Sequence, residues 1–449
     1  MEYRIIKTAG IIGFLMAGFV AQAQTSRQLS LSEAVKLGVA NSKTLKQSAA
    51  KIASSEASLR QFKDKRLPSA SISGSYLRVT QPTINMLYQS NSASSGSGSG
   101  SGSESGSSFP KVDQAMYALG NVSYTLFDGF GNSASVKSAK YLLEATKLDA
   151  ETDRQQVVQN ITLAYSNLYK ASRAVDLVKE NLKQAQQRTG DFKHLEENGL
   201  IARNDLLKAQ LQESNVQLSL LDAESDLHVT NLNMNLLLGL PEETVLQLDS
   251  NSFATDMDAH SLTYWEDQAR NNRSDYKSMD LRVKAAEAHL RSVKSEYYPS
   301  LSVTGGYAAI NVPKFIQITD AWNAGLGLRY NIGSLWKTGA EVKSAKAQIM
   351  QLDATKGLLD DQIKVQLYRS YENYLVALKK LDVLAIAVEQ ANENYRILKN
   401  KYDNSLATAT DLLDADVQQL QARLNATYAK ADAVVAYNQL MQAAGVIPQ

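Results

Sequence analysis

The sequence predicts a mainly α chain with a membrane β-barrel portion, built as two structural repeats. Each repeat is a strand pair plus long coiled-coil helices. Three observations carry this reading: matching blocks recur at one constant spacing, two Pro-free stretches keep a heptad of apolar residues, and alternating segments of membrane-spanning length follow a secretory leader.

The leader comes first. Arg4 and Lys7 form a basic start, an apolar run extends from Ala9 to Val20, and Ala21-Gln22-Ala23 has the small-x-small form of a cleavage site. Residues 1–23 therefore read as a signal peptide, with the mature chain starting near Gln24. An anchoring helix is the alternative, but about 12 apolar residues fall short of a ~30 Å hydrocarbon core. No later stretch approaches the apolar length of a spanning helix, so membrane insertion must use strands.

The repeats follow. Val136-Lys137-Ser138-Ala139-Lys140 recurs as Val342-Lys343-Ser344-Ala345-Lys346, an offset of 206. The same offset pairs Tyr124 with Tyr330, Tyr165 with Tyr371, Asp205-Leu206-Leu207 with Asp411-Leu412-Leu413, and Gly239 with Gly445. Pro68-Ser69-Ala70-Ser71 matches Pro299-Ser300-Leu301-Ser302 at 231, so the first half carries 25 extra residues between these blocks. They include residues 90–108, almost all Ser and Gly, a composition that buries too little apolar surface to order itself. This segment is expected to be a mobile loop facing the cell exterior; an interdomain linker is the other possibility.

The first repeat spans 24–240, with a helix, strands near 69–79 and 117–127, and long helices near 133–193 and 203–238. The second spans 241–449, with a helix, strands near 300–311 and 322–332, and long helices near 339–403 and 408–444. From Trp322 to Ile332, apolar residues alternate with Asn323, Gly325, Gly327, Arg329 and Asn331, the period of a strand with two unlike faces. About ten residues suit a tilted spanning strand. A soluble four-stranded sheet would show similar strands.

The helices need scarce proline, and the chain has only 7. Val157, Ile161, Ala164, Leu168, Ala171, Val175, Val178, Leu182 and Ala185 step by fours and threes. Ile363, Leu367, Ser370, Tyr374, Ala377, Leu381, Leu384, Val388 and Ala391 repeat the register 206 residues later. Four heptads in each copy make a coiled-coil seam.

Composition argues against other chemistry. Lys and Arg total 47 against 46 Asp and Glu, so no basic field points to nucleic acid. The absence of cysteine excludes disulfides, thiolate metal sites and a catalytic thiol. His194, His228, His260 and His289 stand apart and form no two-histidine ligand motif. There is no phosphate loop and no nucleophile elbow. Catalytic, cofactor-binding and metal sites are all expected to be absent, and the chain does not read as an enzyme.

With a signal peptide, two such halves and no cysteine, the chain resembles the TolC-like outer membrane efflux protein family over nearly its whole mature length. Leu126-Phe127-Asp128-Gly129 is similar to that family's strand-to-helix turn, while Gly333-Ser334-Leu335-Trp336 departs from it. Asp411-Leu412-Leu413-Asp414 sits where the family carries an aspartate pair. The resemblance implies a homotrimer. Four strands from each chain would close a 12-stranded β-barrel in outer membrane lipid, and the long helices would continue as a periplasmic α-barrel. The expected function is a passive duct of a tripartite efflux or type I secretion system, working with a periplasmic adaptor protein and an inner-membrane pump. The rival readings are a periplasmic coiled-coil adaptor and a structural envelope protein. An adaptor usually shows one helical hairpin, whereas here the hairpin occurs twice.

Asp411 and Asp414 are three apart and share a helix face. Two readings compete. Acids near a helix start favour its dipole. In a trimer, the family motif implies two stacked rings of three carboxylates, a periplasmic gate selective for cations. In the first copy, Asp205 has Lys208 in place of a second acid. Trp322, Tyr330 and Trp336, with Tyr297 and Tyr298, bracket the second strand pair; they read either as interface-belt aromatics or as ordinary packing.

Overall fold

The computed structural model describes residues 26–78, 113–249, 260–313 and 316–447. The expected signal peptide and the Ser/Gly segment 90–108 lie outside them. The order of elements is β1 (Ser26–Leu29), α1 (Leu31–Asn41), α2 (Lys43–Asp64), β2 (Ser69–Arg78), β3 (Gln114–Phe127), α3 (Gly131–Glu197), α4 (Arg203–Leu238) and β4 (Val245–Leu248). The second half gives α5 (Leu262–Asn272), α6 (Ser274–Lys294), a 3-10 turn (Ser295–Tyr297), β5 (Ser300–Val312), β6 (Ile316–Arg329), α7 (Ser334–Asp403) and α8 (Ala409–Ala443).

The chain divides into two compact units, between which α3 and α7 pass. One unit comprises residues 47–152 and 274–363. Its sheet has the order β2-β3-β5-β6, antiparallel throughout. Two bulges interrupt the ladders. At the first, β3 gains a residue between Thr125 and Phe127. At the second, Thr319 and Asp320 of β6 face the single residue Ala309, with Asp320 at φ 58°. This bulge explains why β6 starts six residues before the expected strand. Residues 316–319 belong to it, but the bulge shifts them out of phase with the alternation that begins at Trp322. β6 ends at Arg329, where Asn331 turns the chain into α7 through Ser334 N to Asn331 O at 3.0 Å.

The other unit gathers residues up to 46, 153–273 and 364 onward. Its main core packs Leu29, Ala34, Ile161, Ala164, Tyr165, Leu168, Met234, Leu238 and Leu246. The first heptad stripe accounts for the α3 members. Seven of its nine positions are buried, and Val157 and Leu182 half-buried. Tyr165 closes this core by donating its hydroxyl to Leu29 O at 2.9 Å. Gly38 is required here, since a Cβ on it would lie 2.3 Å from Ile161 Cδ1.

Two features were not expected. β1 pairs in parallel with β4, a four-residue ribbon. The single helix expected before each strand pair is instead two helices. Ser42 separates α1 from α2 and caps the second, its Oγ accepting from Leu45 N at 3.2 Å. Arg273 breaks α5 from α6, and its Nη1 donates to Ala443 O at 2.9 Å.

Candidate functional site

The sheet has two unlike faces. Successive strand residues point to opposite sides, so the pairing register sorts them. One row across the sheet reads Ile72, Gly120, Tyr307, Trp322; the next rows on that face read Ala70, Val122, Gly305, Ala324 and Tyr124, Val303, Leu326. The opposite face reads Ser71, Asn121, Gly306, Asn323, then Ser69, Ser123, Thr304, Gly325, then Thr125, Ser302, Gly327. In these rows the first face is apolar and the second polar or small; beyond them the second face turns apolar at Leu119, Ala308 and Ala321, then Tyr117 and Ile310. Among the described residues nothing covers the apolar one: Ile72 is 91%, Trp322 80% and Leu326 73% exposed. Water is a poor solvent for such a face and lipid a good one.

Gly306 sits in the polar face for a steric reason. A Cβ there would lie 2.9 Å from Asn121 Oδ1 and Gly120 O, and 3.0 Å from Asn323 Oδ1. Among the described residues the outer strands β2 and β6 have no partner on their far sides. Such open edges expose unpaired backbone groups, which lipid cannot satisfy.

The sequence singled out three aromatics here. Trp322 lies within β6, and its ring is 5.0 Å from Tyr307 across the ladder. Tyr330 follows the end of β6, and Trp336 is in the first turn of α7. All three are exposed.

Each repeat turns from strand to helix differently. After β3, Gly129 and Phe130 take φ 67° and 69°, and Asp128 Oδ2 accepts from Asn132 N at 2.7 Å, capping α3. Gly129 has no room for a side chain, since a Cβ would lie 2.7 Å from Ser295 O. After β6, Asn331 does this work, with its Oδ1 accepting from Gly333 N at 3.1 Å and its backbone oxygen from Ser334 Oγ at 2.6 Å. This second turn needs no left-handed residue, which explains its departure from Phe-Asp-Gly.

The two helical hairpins end in turns at matching positions, Gly199 at φ 70° and Ser405 at φ 59°. Leu200 N bonds Leu195 O at 2.8 Å in one, and Leu406 N bonds Lys401 O at 2.7 Å in the other. α8 starts with a reciprocal cap. Thr408 Oγ1 accepts from Asp411 N at 3.2 Å, and Asp411 Oδ2 accepts from Thr408 N at 2.9 Å and from its hydroxyl at 2.7 Å. These side-chain and backbone bonds hold the Asp411 carboxyl below the usual carboxylate range. Asp414 is also exposed, one turn further along. In the first hairpin Ala202 offers no side-chain cap, and Lys208 Nζ lies 3.6 Å from Asp205 while donating to Thr410 Oγ1 at 3.1 Å.

Near these turns lies a network that the sequence did not reveal. Asp416, fully buried, accepts from Arg188 Nη1 at 3.1 Å and from Asn181 Nδ2 at 3.3 Å; Arg188 Nη2 donates to Tyr395 Oη at 3.2 Å. Burial works against the guanidinium charge, but the bonds from Asp416 and Tyr395 outweigh it and raise the Arg188 pKa. The buried ion pair thus ties α3 to α8, and the bond to Tyr395 adds α7. Its sequence signal is faint: Asn181 and Arg188 are seven apart, each three residues after a position of the apolar seam, Val178 and Ala185. Beside it Phe192 stacks on Tyr402 with centroids 5.3 Å apart, next to Leu206, Ala209 and Ala409.

Elsewhere, no helix among the described residues is long and apolar enough to cross a membrane. Among the described residues no three His, Asp or Glu side chains gather where they could hold a metal.

None of the curated proteins matches the chain in sequence. Solved structures do match its fold. The outer membrane protein VceC from Vibrio cholerae superposes with a TM-score of 0.73 at 17% identity, over 92% of this chain and 96% of that one. The CmeC outer membrane channel from Campylobacter jejuni gives 0.74 at 16%, over 99% and 94%. The open state of the MtrE outer membrane channel from Neisseria gonorrhoeae gives 0.72 at 15%, over 93% and 89%. The model of the outer membrane efflux protein family matches residues 35–240 and 265–446, which takes in both repeats. The chain therefore belongs to the outer membrane efflux protein family, as an efflux channel protein of the outer membrane.

Proposed function

We propose that three copies of this chain close into a passive export duct, one third of the wall coming from each. The observation that carries this is the two-faced, open-edged sheet. Its apolar face suits lipid, its Ser, Thr, Asn and Gly face suits a water-filled lumen, and only pairing of β2 with a neighbour's β6 satisfies both edges. Twelve strands then form the barrel, and the long helices form the periplasmic part.

The helical unit supports the same occupant for its own bare faces. α4 exposes Leu207, Leu211, Leu218, Leu221 and Leu236, and α7 exposes Val365, Tyr368, Val376, Val383 and Ile386. Both stripes step at helical spacing and are left uncovered by the described residues, so a second copy of the chain is the natural cover. Asp411 and Asp414 would then form two rings of three carboxylates near the hairpin turns. We read these as the periplasmic gate, and the turns as the place where an adaptor and an inner-membrane pump of a tripartite efflux or type I secretion system engage. Trp322, Tyr330 and Trp336 are read as interface-belt residues. Transport needs no bond-making by this chain, and no enzymatic step is assigned to it.

Purified protein in planar bilayers tests the reading. Discrete, cation-selective conductance steps are expected; a protein that binds membranes yet never conducts would favour the envelope-scaffold alternative.

A further inference from the structure

At the foot of the sheet, where strands pass into helices, lies an open cavity of about 840 Å³. Its lining includes Lys65, Arg66 and Arg329, with Asp128, Glu296 and Asn132. Both carboxylates already have donors. Asp128 Oδ2 accepts from Asn132 N at 2.7 Å, and Glu296 Oε2 accepts from Thr338 Oγ1 at 3.2 Å. The three cations have no ion-pair partner among the described residues, Lys65 resting instead 4.8 Å from the Phe62 ring centroid. Arg329 pairs with Ser300, two residues from Ser302, and so belongs to the polar face of the sheet. Neutral donors leave both carboxylates charged, so the lining carries three cations against two carboxylates, a net positive charge that favours an anion.

We propose that this cavity is an anion site that takes a phosphate-class group, held by the Arg66 and Arg329 guanidinium forks and the Lys65 ammonium. The proposal rests on the reading of the polar face as the lumen. Three copies would place nine cations around the pore where the sheet meets the helices. Their sign is opposite to that of the Asp411 and Asp414 pair, so a cargo molecule carrying both a cation and a phosphate or similar anion would find a complementary group at each site. A second source of the same chemistry is the phosphate of a phospholipid headgroup.

Calorimetric titration of the full-length, delipidated protein in detergent with pyrophosphate at low salt tests the site. Saturable binding is expected, weakened at least tenfold by Lys65→Gln/Arg66→Gln/Arg329→Gln and little changed by Lys36→Gln/Lys43→Gln/Lys46→Gln. An unchanged oligomer mass shows that the triple variant has folded. Native mass spectrometry before delipidation separates the sources: retained phosphatidylglycerol that the triple variant loses identifies a lipid occupant, and its absence from wild type leaves the site to soluble anions. Equal pyrophosphate affinity in the triple variant, or no binding by delipidated wild type, overturns the proposal. A protein that conducts normally but binds no pyrophosphate rejects the anion site alone; one that never conducts rejects the duct.

Discussion

Arg188 Nη1 lies 3.1 Å from Asp416 Oδ2, and this ion pair is shut away from water, with 8% and 0% side-chain exposure. The pair joins the α3–α4 hairpin to the α7–α8 hairpin. Removing one partner strands the other as a buried charge, which typically costs about 3–5 kcal/mol, whereas replacing both with apolar residues is often neutral. Arg188→Ala or Asp416→Ala should therefore lower the unfolding midpoint strongly, and Arg188→Met/Asp416→Leu should recover most of the loss. A denaturant series on all three variants measures this. A double variant no better than the singles would show that Asn181 and Tyr395, left without their partners, carry the cost instead.

The aspartates of α8 separate by experiment because their environments differ. Asp411 is committed to the Thr408 cap, while Asp414 has no hydrogen-bond or ion-pair partner among the described residues. Asp414→Asn should weaken cation selectivity in planar bilayers without loosening the helix start. Asp411→Asn should do both. Unchanged reversal potentials in both variants would reduce the pair to helix-start chemistry.

Acid should act on the same cap. The folded-state pKa of Asp411 is depressed by bonding from Thr408, so its contribution is complete above the ordinary carboxylate range. It is lost as pH falls through the depressed value. Amide exchange across residues 409–413, corrected for intrinsic pH dependence, should accelerate at acid pH. Thr408→Ala should give roughly fivefold faster opening already at neutral pH.

The two faces of the sheet predict opposite tolerance. Leu326→Lys places a charge on the lipid side, where a midplane Lys costs about 2–4 kcal/mol. Asn323→Lys, one face over, should insert normally and alter conductance. Membrane-fraction yield of the two variants checks the assignment, and equal yield would contradict it. Gly306→Ala should damage assembly more than either, because its new Cβ meets the Gly120 carbonyl at 2.9 Å.

What was legible in the sequence was whatever repeats locally. The heptad of α3 from Val157 to Ala185 and the alternation from Trp322 to Leu328 each leave a period that survives without tertiary information. The β1–β4 ribbon leaves none, since four residues are too few for a period and Ser26 meets Val245 from far along the chain. The breaks at Ser42 and Arg273 contain neither Pro nor Gly. The Arg188–Asp416 pair spans 228 positions, and neither residue stands in a motif.

The central claim is that β2 of one copy pairs with β6 of the next. The chain has no cysteine, so introduced thiols report without interference. Ser73→Cys on β2 combined with Asn323→Cys on β6 places one thiol on each outer strand, with β3 and β5 between them in the same chain. Treating native membranes with bifunctional maleimides of graded length and separating the products by denaturing electrophoresis makes the measurement. Closed pairing predicts covalent dimers and trimers with nothing larger, and none from either single-cysteine variant. Monomer alone across every reagent length, while each cysteine still accepts a monofunctional maleimide, would contradict the account.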